Sequence, residues 1–197
     1  QSNGGDPVLL WDAQGYYGGD LSKLWIKTEG EYDFAADKFE EAEVQVLYSR
    51  AIGSFWDFQA GVRHDFAPFE DRTYGVVGIQ GLAPYFFEVD AATFVSGHGD
   101  VTARIEAEYE LLLTQRLIVQ PRVELNFAAQ DIPELETGSG LSTAETGLRL
   151  RYEVRREFAP YIGVSWTRSV GDTADFKRAA GENPSSVSMV AGVRLWF

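Results

Sequence analysis

The sequence has no cysteine, and among its 197 residues it has one methionine and two histidines. Without cysteine the fold cannot depend on disulfides, and this composition is compatible with an oxidising compartment such as the periplasm. No run of about 18 or more apolar residues exists, which excludes a transmembrane helix. Basic residues are outnumbered by acids, 17 to 30, and the net charge is −13. This balance argues against a nucleic acid as partner and favours cations.

An alternating pattern ends the chain over residues 187–197, where every second residue is apolar. A strand turns successive side chains to opposite faces, so this segment has one apolar face and one mixed face. A long alternating strand that ends on an aromatic residue is typical of the last strand of an outer-membrane β-barrel. Its apolar face meets lipid and its other face lines the lumen. The mean hydropathy of −0.19 is compatible with such a barrel, because only alternate residues must be apolar.

Nine earlier segments show the same alternation, each long enough for a tilted membrane strand of about 9–11 residues. They are 21–33, 39–50, 54–66, 73–82, 85–96, 101–113, 117–130, 143–154 and 161–169. Their connections alternate between short and long, as in outer-membrane barrels, and placing both chain ends at one rim requires an even strand number. We therefore predict an all-β fold, a transmembrane antiparallel up-and-down β-barrel of ten strands over residues 21–197. Residues 1–20, including the weakly alternating 8–17, are expected outside the barrel wall, in the lumen or on the periplasmic side.

A soluble lipocalin-like barrel or a β-sandwich is the alternative fold, with the apolar face inside and the charges in water. Tyrosine and tryptophan near the strand ends of the apolar face favour the membrane barrel, since they resemble aromatic girdles.

Most charges of the chain fall on the polar faces of the predicted strands. A ten-stranded barrel is narrow, so these side chains should largely fill it, and charges removed from water must be paired. They form either a salt-bridge network that plugs the barrel or an acidic relay that passes a divalent cation, and both can hold together. The predicted lumen-lining charges are Glu29, Glu41, Glu43, Asp57, Arg63, Arg104, Glu106, Glu108, Glu110, Arg122, Glu124, Arg149, Arg151 and Arg194.

Several stretches resemble one known family, the copper-resistance protein B family (CopB/PcoB), and the resemblance runs over residues 11–197. The stretches are WDAQ at 11–14, KLWIKTEGE at 23–31, GVRHD at 61–65, GIQGLAPYFFEVD at 78–90 and EYELLLTQRLI at 108–118. The resemblance implies a barrel in the outer membrane of Gram-negative bacteria that takes part in copper resistance. It implies no enzyme activity, copper as the bound or transported ion, and copper ions, outer-membrane lipid and periplasmic copper proteins as partners.

The resemblance also marks one departure. Members of the family usually carry a Met- and His-rich segment ahead of the barrel, whereas Met189 is the only methionine here. Strand parity points Met189 at lipid, so copper capture by thioethers cannot be argued from these residues.

With copper implied, the candidate ligands are the two histidines and nearby acids, because copper(II) favours imidazole with oxygen ligands. His98 lies in a Gly-His-Gly-Asp turn and is either a solvated turn residue or an entry ligand, together with Asp100. Strict alternation sends His64 outward, against a ligand in the lumen. A local twist or bulge would turn it to the rim as a metal ligand, and a histidine hydrogen-bonded to a neighbouring carboxylate is the alternative. The predicted metal-binding residues are His64, Asp65, Glu88, Asp90 and His98.

Three functions stay open from the sequence. The first, which we predict, is an outer-membrane copper-resistance protein that binds copper or moves it through an acidic barrel. The second is an outer-membrane lipid hydrolase or acyltransferase, which needs a Ser–His pair with an orienting residue. Ser54 is the nearest serine before His64 in the sequence and Ser96 the nearest after it, and neither spacing indicates a triad. The third is a structural barrel with a plugged lumen.

Overall fold

The computed structural model describes residues 8–34, 37–67 and 71–196, with residues 40, 41 and 67 described by their backbone alone. These residues form one antiparallel sheet in which nearly every strand pairs with the next along the chain. The strands are β1 (Val8–Gly18), β2 (Ser22–Asp33), β3 (Lys38–Ala51), β4 (Trp56–Ala67), β5 (Arg72–Ala83), β6 (Phe87–Ser96), β7 (Val101–Glu108), β8 (Leu111–Leu112), β9 (Leu117–Ala128), β10 (Gly140–Tyr152), β11 (Phe158–Ser169) and β12 (Ser185–Leu195). The predicted all-β antiparallel fold is confirmed.

Helices are confined to the connections. An α-helix, α1 (Gly171–Ala179), precedes β12, and 3-10 turns lie at Pro84–Phe86 and Pro133–Leu135. None of the helices in the described part of the chain has the length and apolar character needed to cross a membrane.

The first strand corrects the prediction that residues 1–20 lie outside the wall, but only for residues 8–18, since residues 1–7 lie outside the described residues. β1 pairs with β2 from Val8–Asp33 to Gly18–Lys23, and the ring centroids of Tyr16 and Trp25 lie 4.9 Å apart. The weak alternation of its side chains does not reveal this strand. The strand joins the sheet through backbone hydrogen bonds to the free edge of β2, and these bonds do not depend on the side-chain pattern. Within the described residues the sheet thus has eleven long strands and the two-residue β8, and the predicted number of ten is not confirmed.

The predicted strand over residues 101–113 is interrupted, and a proline opposite it explains the break. β7 and β8 both pair with β9 in one continuous register. Between them, the backbone N–H of Tyr109 donates to the Pro121 carbonyl oxygen at 3.1 Å. Pro121 has no N–H to return the second hydrogen bond of such a pair, so the ladder lapses at residues 109–110.

The two ends of the sheet differ, as the sequence predicts. At one end, the turn end, lie the connections 19–21, 52–55, 84–86, 113–116 and 153–157. The other, the loop end, carries the long connections 129–139 and 170–184, the latter with α1. We expected both ends of the wall at one rim; instead, β1 starts at the loop end and β12 finishes at the turn end, because the number of long strands is odd.

The burial pattern is inverted relative to that of a soluble protein. Large apolar side chains on one face are exposed, for example Val77 at 54% and Met189 at 94%, whereas Glu43, Gln59 and Arg151 on the other face are 2% exposed. A soluble barrel or sandwich would bury its apolar face instead, so this alternative does not describe the sheet. We call the two sides the outer face and the inner face.

The sheet curls so that the inner faces of distant strands meet. Lys27 on β2 reaches Asp90 on β6, with 2.7 Å between Nζ and Oδ2. Arg194 on β12 approaches Glu108 on β7, with 3.8 Å between Nη1 and Oε1. β2 thus faces β6, and β12 faces β7, across an interior.

The interior also holds an apolar cluster that the sequence analysis does not predict. Leu47, Tyr74, Val76 and Phe94 pack together on β3, β5 and β6, with Trp25 against them. The inner face is therefore charged over most of its extent, with one apolar sector. In the described residues β1 and β12 do not pair, so the predicted closed barrel and its lumen are not confirmed.

Candidate functional site

A row of carboxylates crosses the inner face at matching positions of neighbouring strands. The strand register forms a continuous row across the sheet from β4 to β10, in which each residue lies directly opposite the next on the neighbouring strand. Its members are Asp57, Gln80, Asp90, Glu106, Glu124 and Glu145. We call its five acids the acidic row. Like charges directly opposite each other destabilise a sheet, so this row requires compensation from other groups.

Each acid of the row has a partner on the inner face. The distances are 3.2 Å from Lys23 Nζ to Asp57 Oδ2, 2.7 Å from Lys27 Nζ to Asp90 Oδ2, 2.8 Å from Arg122 Nη2 to Glu124 Oε2, and 2.8 Å from Ser165 Oγ to Glu145 Oε1. The Nε–H of Arg122 also donates to Glu106. Arg122 of β9 therefore neutralises Glu106 on β7 and Glu124 on its own strand, and the row is held as an ion network.

A second group of charges lies beside the row, around Arg104 of β7. Its guanidinium nitrogens lie 3.3 Å from Glu29 Oε2 and 3.4 Å from Glu43 Oε2. Arg63 binds the same Glu43 oxygen at 2.7 Å. The Cζ atoms of Arg63 and Arg104 lie 4.8 and 5.8 Å from the ring centroid of Phe94. Both guanidinium groups therefore make cation–π contacts with an aromatic ring of the apolar sector.

At the turn end the interior widens into a cavity of about 450 Å³, which we call the vestibule. Its lining residues are Glu88, Glu110, Arg151, Glu153, Arg156, Arg194 and Trp196. Arg151 Nη2 lies 2.8 Å from Glu110 Oε1, and Arg194 Nη1 lies 3.5 Å from the same oxygen. The Cζ atoms of both arginines lie 5.1 and 5.0 Å from Trp196.

Deeper inside, the free space is small. The cavity between Lys27, Gln45, Phe94 and Arg104 measures about 40 Å³. A cavity of this size holds a few water molecules at most. Side chains therefore fill most of the interior at this level.

Of the predicted copper ligands, His64 lies on the outer face, as alternation predicts. Its Nδ1 is 2.8 Å from Thr73 Oγ1, and its ring contacts Phe66 at a centroid distance of 4.5 Å. Its imidazole therefore has a hydroxyl partner rather than a serine nucleophile or a carboxylate.

His98 lies in the turn at the loop end, where Asp100 is already bound. Arg72 Nη1 donates to Asp100 Oδ2 at 2.9 Å, and Ser96 Oγ donates to it at 3.0 Å. The backbone N–H of His98 donates to Ser96 Oγ at 3.1 Å. The turn thus keeps Asp100 in an ion pair beside the histidine.

The three predicted acidic ligands lie in different surroundings. Asp65 accepts two hydrogen bonds from Arg63, at 2.6 and 2.8 Å. Asp90 belongs to the acidic row and is bound by Lys27. Glu88 is exposed and lines the vestibule.

The structure does not bring the five candidates together. Glu88 and Asp90 lie toward the turn end, and His64, Asp65 and His98 toward the loop end. Within the described residues, no three His, Asp or Glu side chains are grouped so that they could hold a metal ion. A copper-binding role for these residues stays a prediction.

The predicted lumen-lining charges fall into the groups described above, with two exceptions, Arg149 and Glu41. Arg149 lies over Tyr161, with 5.4 Å between its Cζ and the ring centroid. The Glu41 side chain lies outside the described residues. The remaining charges belong to the row, the Arg104 group and the vestibule, namely Glu29, Glu43, Asp57, Arg63, Arg104, Glu106, Glu108, Glu110, Arg122, Glu124, Arg151 and Arg194.

Sequence reasoning misses Glu145, Phe94 and Trp196 as parts of the interior. Glu145 completes the acidic row only through the register of β9 and β10. Alternation places Glu145 on the same face as Arg149 and Arg151, but a register shift between Leu141 and Thr143 conceals its position opposite Glu124. The positions of Phe94 and Trp196 depend on packing across the interior, which alternation does not report.

A known family description, "Copper resistance protein B precursor (CopB)", matches residues 1–197. The chain belongs to the copper resistance protein B family. It is 48% identical over 190 residues to a copper resistance protein B homolog of Pseudomonas syringae pv. tomato (strain ATCC BAA-871 / DC3000), covering 96% of this chain and 64% of that protein. It is 48% identical over 187 residues to copper resistance protein B of Escherichia coli, covering 95% of this chain and 62% of that protein.

The match confirms the family that the sequence resembles. The chain spans less than two thirds of each relative's length, and both relatives are named as resistance proteins rather than enzymes.

A solved structure shares the fold of this chain. The NanC porin in a rhombohedral crystal form superposes with a TM-score of 0.64 at 14% identity, covering 98% of this chain and 95% of that chain. At this identity the likeness concerns the fold alone, which is porin-like.

Proposed function

We propose that this chain forms the wall of an outer-membrane protein of copper resistance and that copper(II) ions move along its acidic inner face. The observation that carries the proposal is the acidic row, which places five carboxylates side by side across the interior. Membership of the copper resistance protein B family supports copper as the ion.

The outer membrane is the location that the burial pattern supports. A lipid-facing wall needs apolar residues outside and polar residues inside, and the exposed apolar outer face meets that need. The porin-like fold is consistent with the same location.

Carboxylate oxygens suit transit better than storage. Copper(II) is bound more tightly by imidazole than by oxygen ligands, and conduction requires sites from which an ion can leave again. Neighbouring carboxylates of the row would pass an ion from one to the next. The lysine and arginine side chains that pair with them would move aside for the ion and pair with each carboxylate again after it has left.

The test is copper entry into proteoliposomes that contain a copper-sensitive dye and the full-length protein. Glu106→Gln is the informative variant, because Arg122 keeps Glu124 as a partner and no interior base is left unpaired. We expect copper entry to fall by about tenfold, equivalent to about 1.4 kcal/mol in the barrier. Asp175→Asn on α1 is the control, since its side chain is 70% exposed and lies outside the interior.

Two results would contradict the proposal. Wild-type vesicles that admit no more copper than protein-free vesicles would exclude transport. Wild-type entry that is unchanged in Glu106→Gln would remove the acidic row from the route.

A plugged structural wall is the second candidate, and the 40 Å³ cavity inside the ion network favours it. It predicts that no ion passes through any variant that keeps the network intact, and the same vesicles test this.

A further inference from the structure

Two long side chains bridge the interior between strands that are not neighbours. Arg104 reaches from β7 to Glu29 on β2 and to Glu43 on β3. Lys27 reaches from β2 to Asp90 on β6. The two bridges run in opposite directions, one from each side, and the small cavity of about 40 Å³ lies between them.

These bridges mark the level at which the interior closes. On the turn-end side the vestibule opens to about 450 Å³. At the level of Arg104 the guanidinium lies over Phe94 and beside Gln45, which is buried. An ion that enters from the vestibule therefore meets Lys27 and Arg104 before it can go further.

The ion pairs that Arg104 makes are longer than those around it, and its Nε–H also donates to Asn126 Oδ1 at 3.4 Å. Its nitrogens lie 3.3, 3.4 and 3.7 Å from Glu29, Glu43 and Glu124. Arg63 holds Glu43 at 2.7 Å, and Arg122 holds Glu124 at 2.8 Å. Two of the three acids thus keep a short ion pair when Arg104 moves away.

Glu43 illustrates why such a movement is feasible. Its side chain is 1% exposed, so it could not lose all its partners without a large cost. Arg63 and the amide of Gln45, which donates to Oε1 at 2.6 Å, remain in place without Arg104. Departure of Arg104 therefore leaves no bare buried charge at Glu43.

We infer that Arg104 is the movable plug of the interior. In place, it neutralises Glu29 and closes the route; displaced, it leaves the Glu29 carboxylate to an entering divalent cation, while Glu43 and Glu124 keep Arg63 and Arg122. The two positive charges of that cation replace the single charge of the guanidinium. The inference rests on the proposed function for the identity of the cation, but not for the closure itself.

The closure is tested without copper, by the conductance of the full-length protein in planar bilayers in KCl. Arg104→Gln removes the charge and shortens the side chain. We therefore expect a conductance on the order of tenfold higher, equivalent to about 1.4 kcal/mol in the free-energy barrier to ion passage. Arg178→Gln is the matched control, because Arg178 lies on α1 with 59% of its side chain exposed. Its conductance should equal that of the wild type.

Folding is checked by the shift in gel mobility on heating, and Arg104→Lys provides a second variant. Lysine keeps the charge but lacks the fork that spans two carboxylates, so an intermediate conductance is expected. If Arg104→Gln folds and conducts like the wild type, the plug assignment is wrong. If Arg104→Gln does not fold, wild-type conductance in Arg104→Lys overturns the assignment instead.

Copper entry into vesicles separates this inference from the proposed function. Raised KCl conductance in Arg104→Gln without copper entry in any variant supports the plug and contradicts copper transport. Copper entry in the wild type with unchanged conductance in Arg104→Gln does the reverse.

Discussion

At the scale of single residues, Arg151 shows how the interior tolerates charge. Its side chain is 2% exposed and lies between Glu110 and the indole of Trp196. A buried guanidinium is stable only where carboxylates and hydrogen bonds replace water. The vestibule supplies one carboxylate at 2.8 Å and an aromatic face at 5.1 Å.

Replacing this residue should therefore destabilise the protein. We expect Arg151→Gln to lower the free energy of unfolding by about 2–3 kcal/mol, below the ~3–5 kcal/mol of a fully buried pair. The smaller loss follows because the Glu110 side chain keeps 32% exposure. Urea unfolding in detergent, followed by tryptophan fluorescence, measures the change.

The double variant Arg151→Gln with Glu110→Gln should recover part of the loss, since it removes both charges of the pair. A loss in the double variant equal to the sum of the two single losses would show that the pair does not interact.

At the scale of elements, the strands pair closely enough that one position excludes a side chain. Gly61 on β4 lies opposite Leu47 on β3. A Cβ atom at Gly61 would lie 2.0 Å from the carbonyl oxygen of Val46 and 2.8 Å from the Leu47 Cα. Both are backbone atoms, so a larger residue must shift the β3–β4 ladder.

We expect Gly61→Ala to lower the free energy of unfolding by about 1–3 kcal/mol, the usual cost of overpacking. Gly15→Ala on β1 is the matched control, because nothing lies within 4 Å of the added Cβ. Alanine there should be neutral or slightly stabilising. Equal unfolding midpoints for the two variants would rule out the close approach at Gly61.

The elements also show what a period of two can and cannot reveal. Alternation locates ten of the eleven long strands, because apolar residues at every second position report directly which face meets an apolar environment. It misses β1, whose membership of the sheet depends on backbone pairing with β2. It also misses the break at residues 109–110, because the cause is Pro121 on the partner strand.

The sequence predicts which face of the sheet the charged residues of the candidate site occupy, but not which of them form ion pairs with each other. Glu106 and Glu124 are assigned to the inner face by parity alone. Their shared base, Arg122, follows only once β7 and β9 are in register. The bridge from Arg104 to Glu29 joins residues 75 positions apart, and it depends on how the whole sheet curls.

At the scale of the whole molecule, the inverted burial pattern determines the solvent that the protein requires. The outer face exposes Leu24, Ile26 and Val46 at 44–51%. In aqueous solution this large apolar surface would have no apolar environment to contact. The inner face in turn holds the charges that lipid would not accept.

A single charge on the outer face tests this orientation. We expect Val77→Arg, near the middle of β5, to destabilise the protein in lipid by about 2–4 kcal/mol. Leu21→Arg, in the turn before β2, should cost about 0–1 kcal/mol, because it lies at the edge of the apolar band. Folding into vesicles at increasing urea measures both. Were Val77→Arg to fold as well as Leu21→Arg, the outer face would not meet lipid.

The contact of Trp196 with both Arg151 and Arg194 gives the vestibule a built-in optical reporter. An indole beside two guanidinium groups emits light whose colour and intensity depend on the charges next to it. A paramagnetic ion arriving at Glu88 or Glu110 would therefore dim this emission before reaching the acidic row. Subtracting the signal of Trp196→Phe isolates that step, so arrival at the mouth can be timed separately from passage.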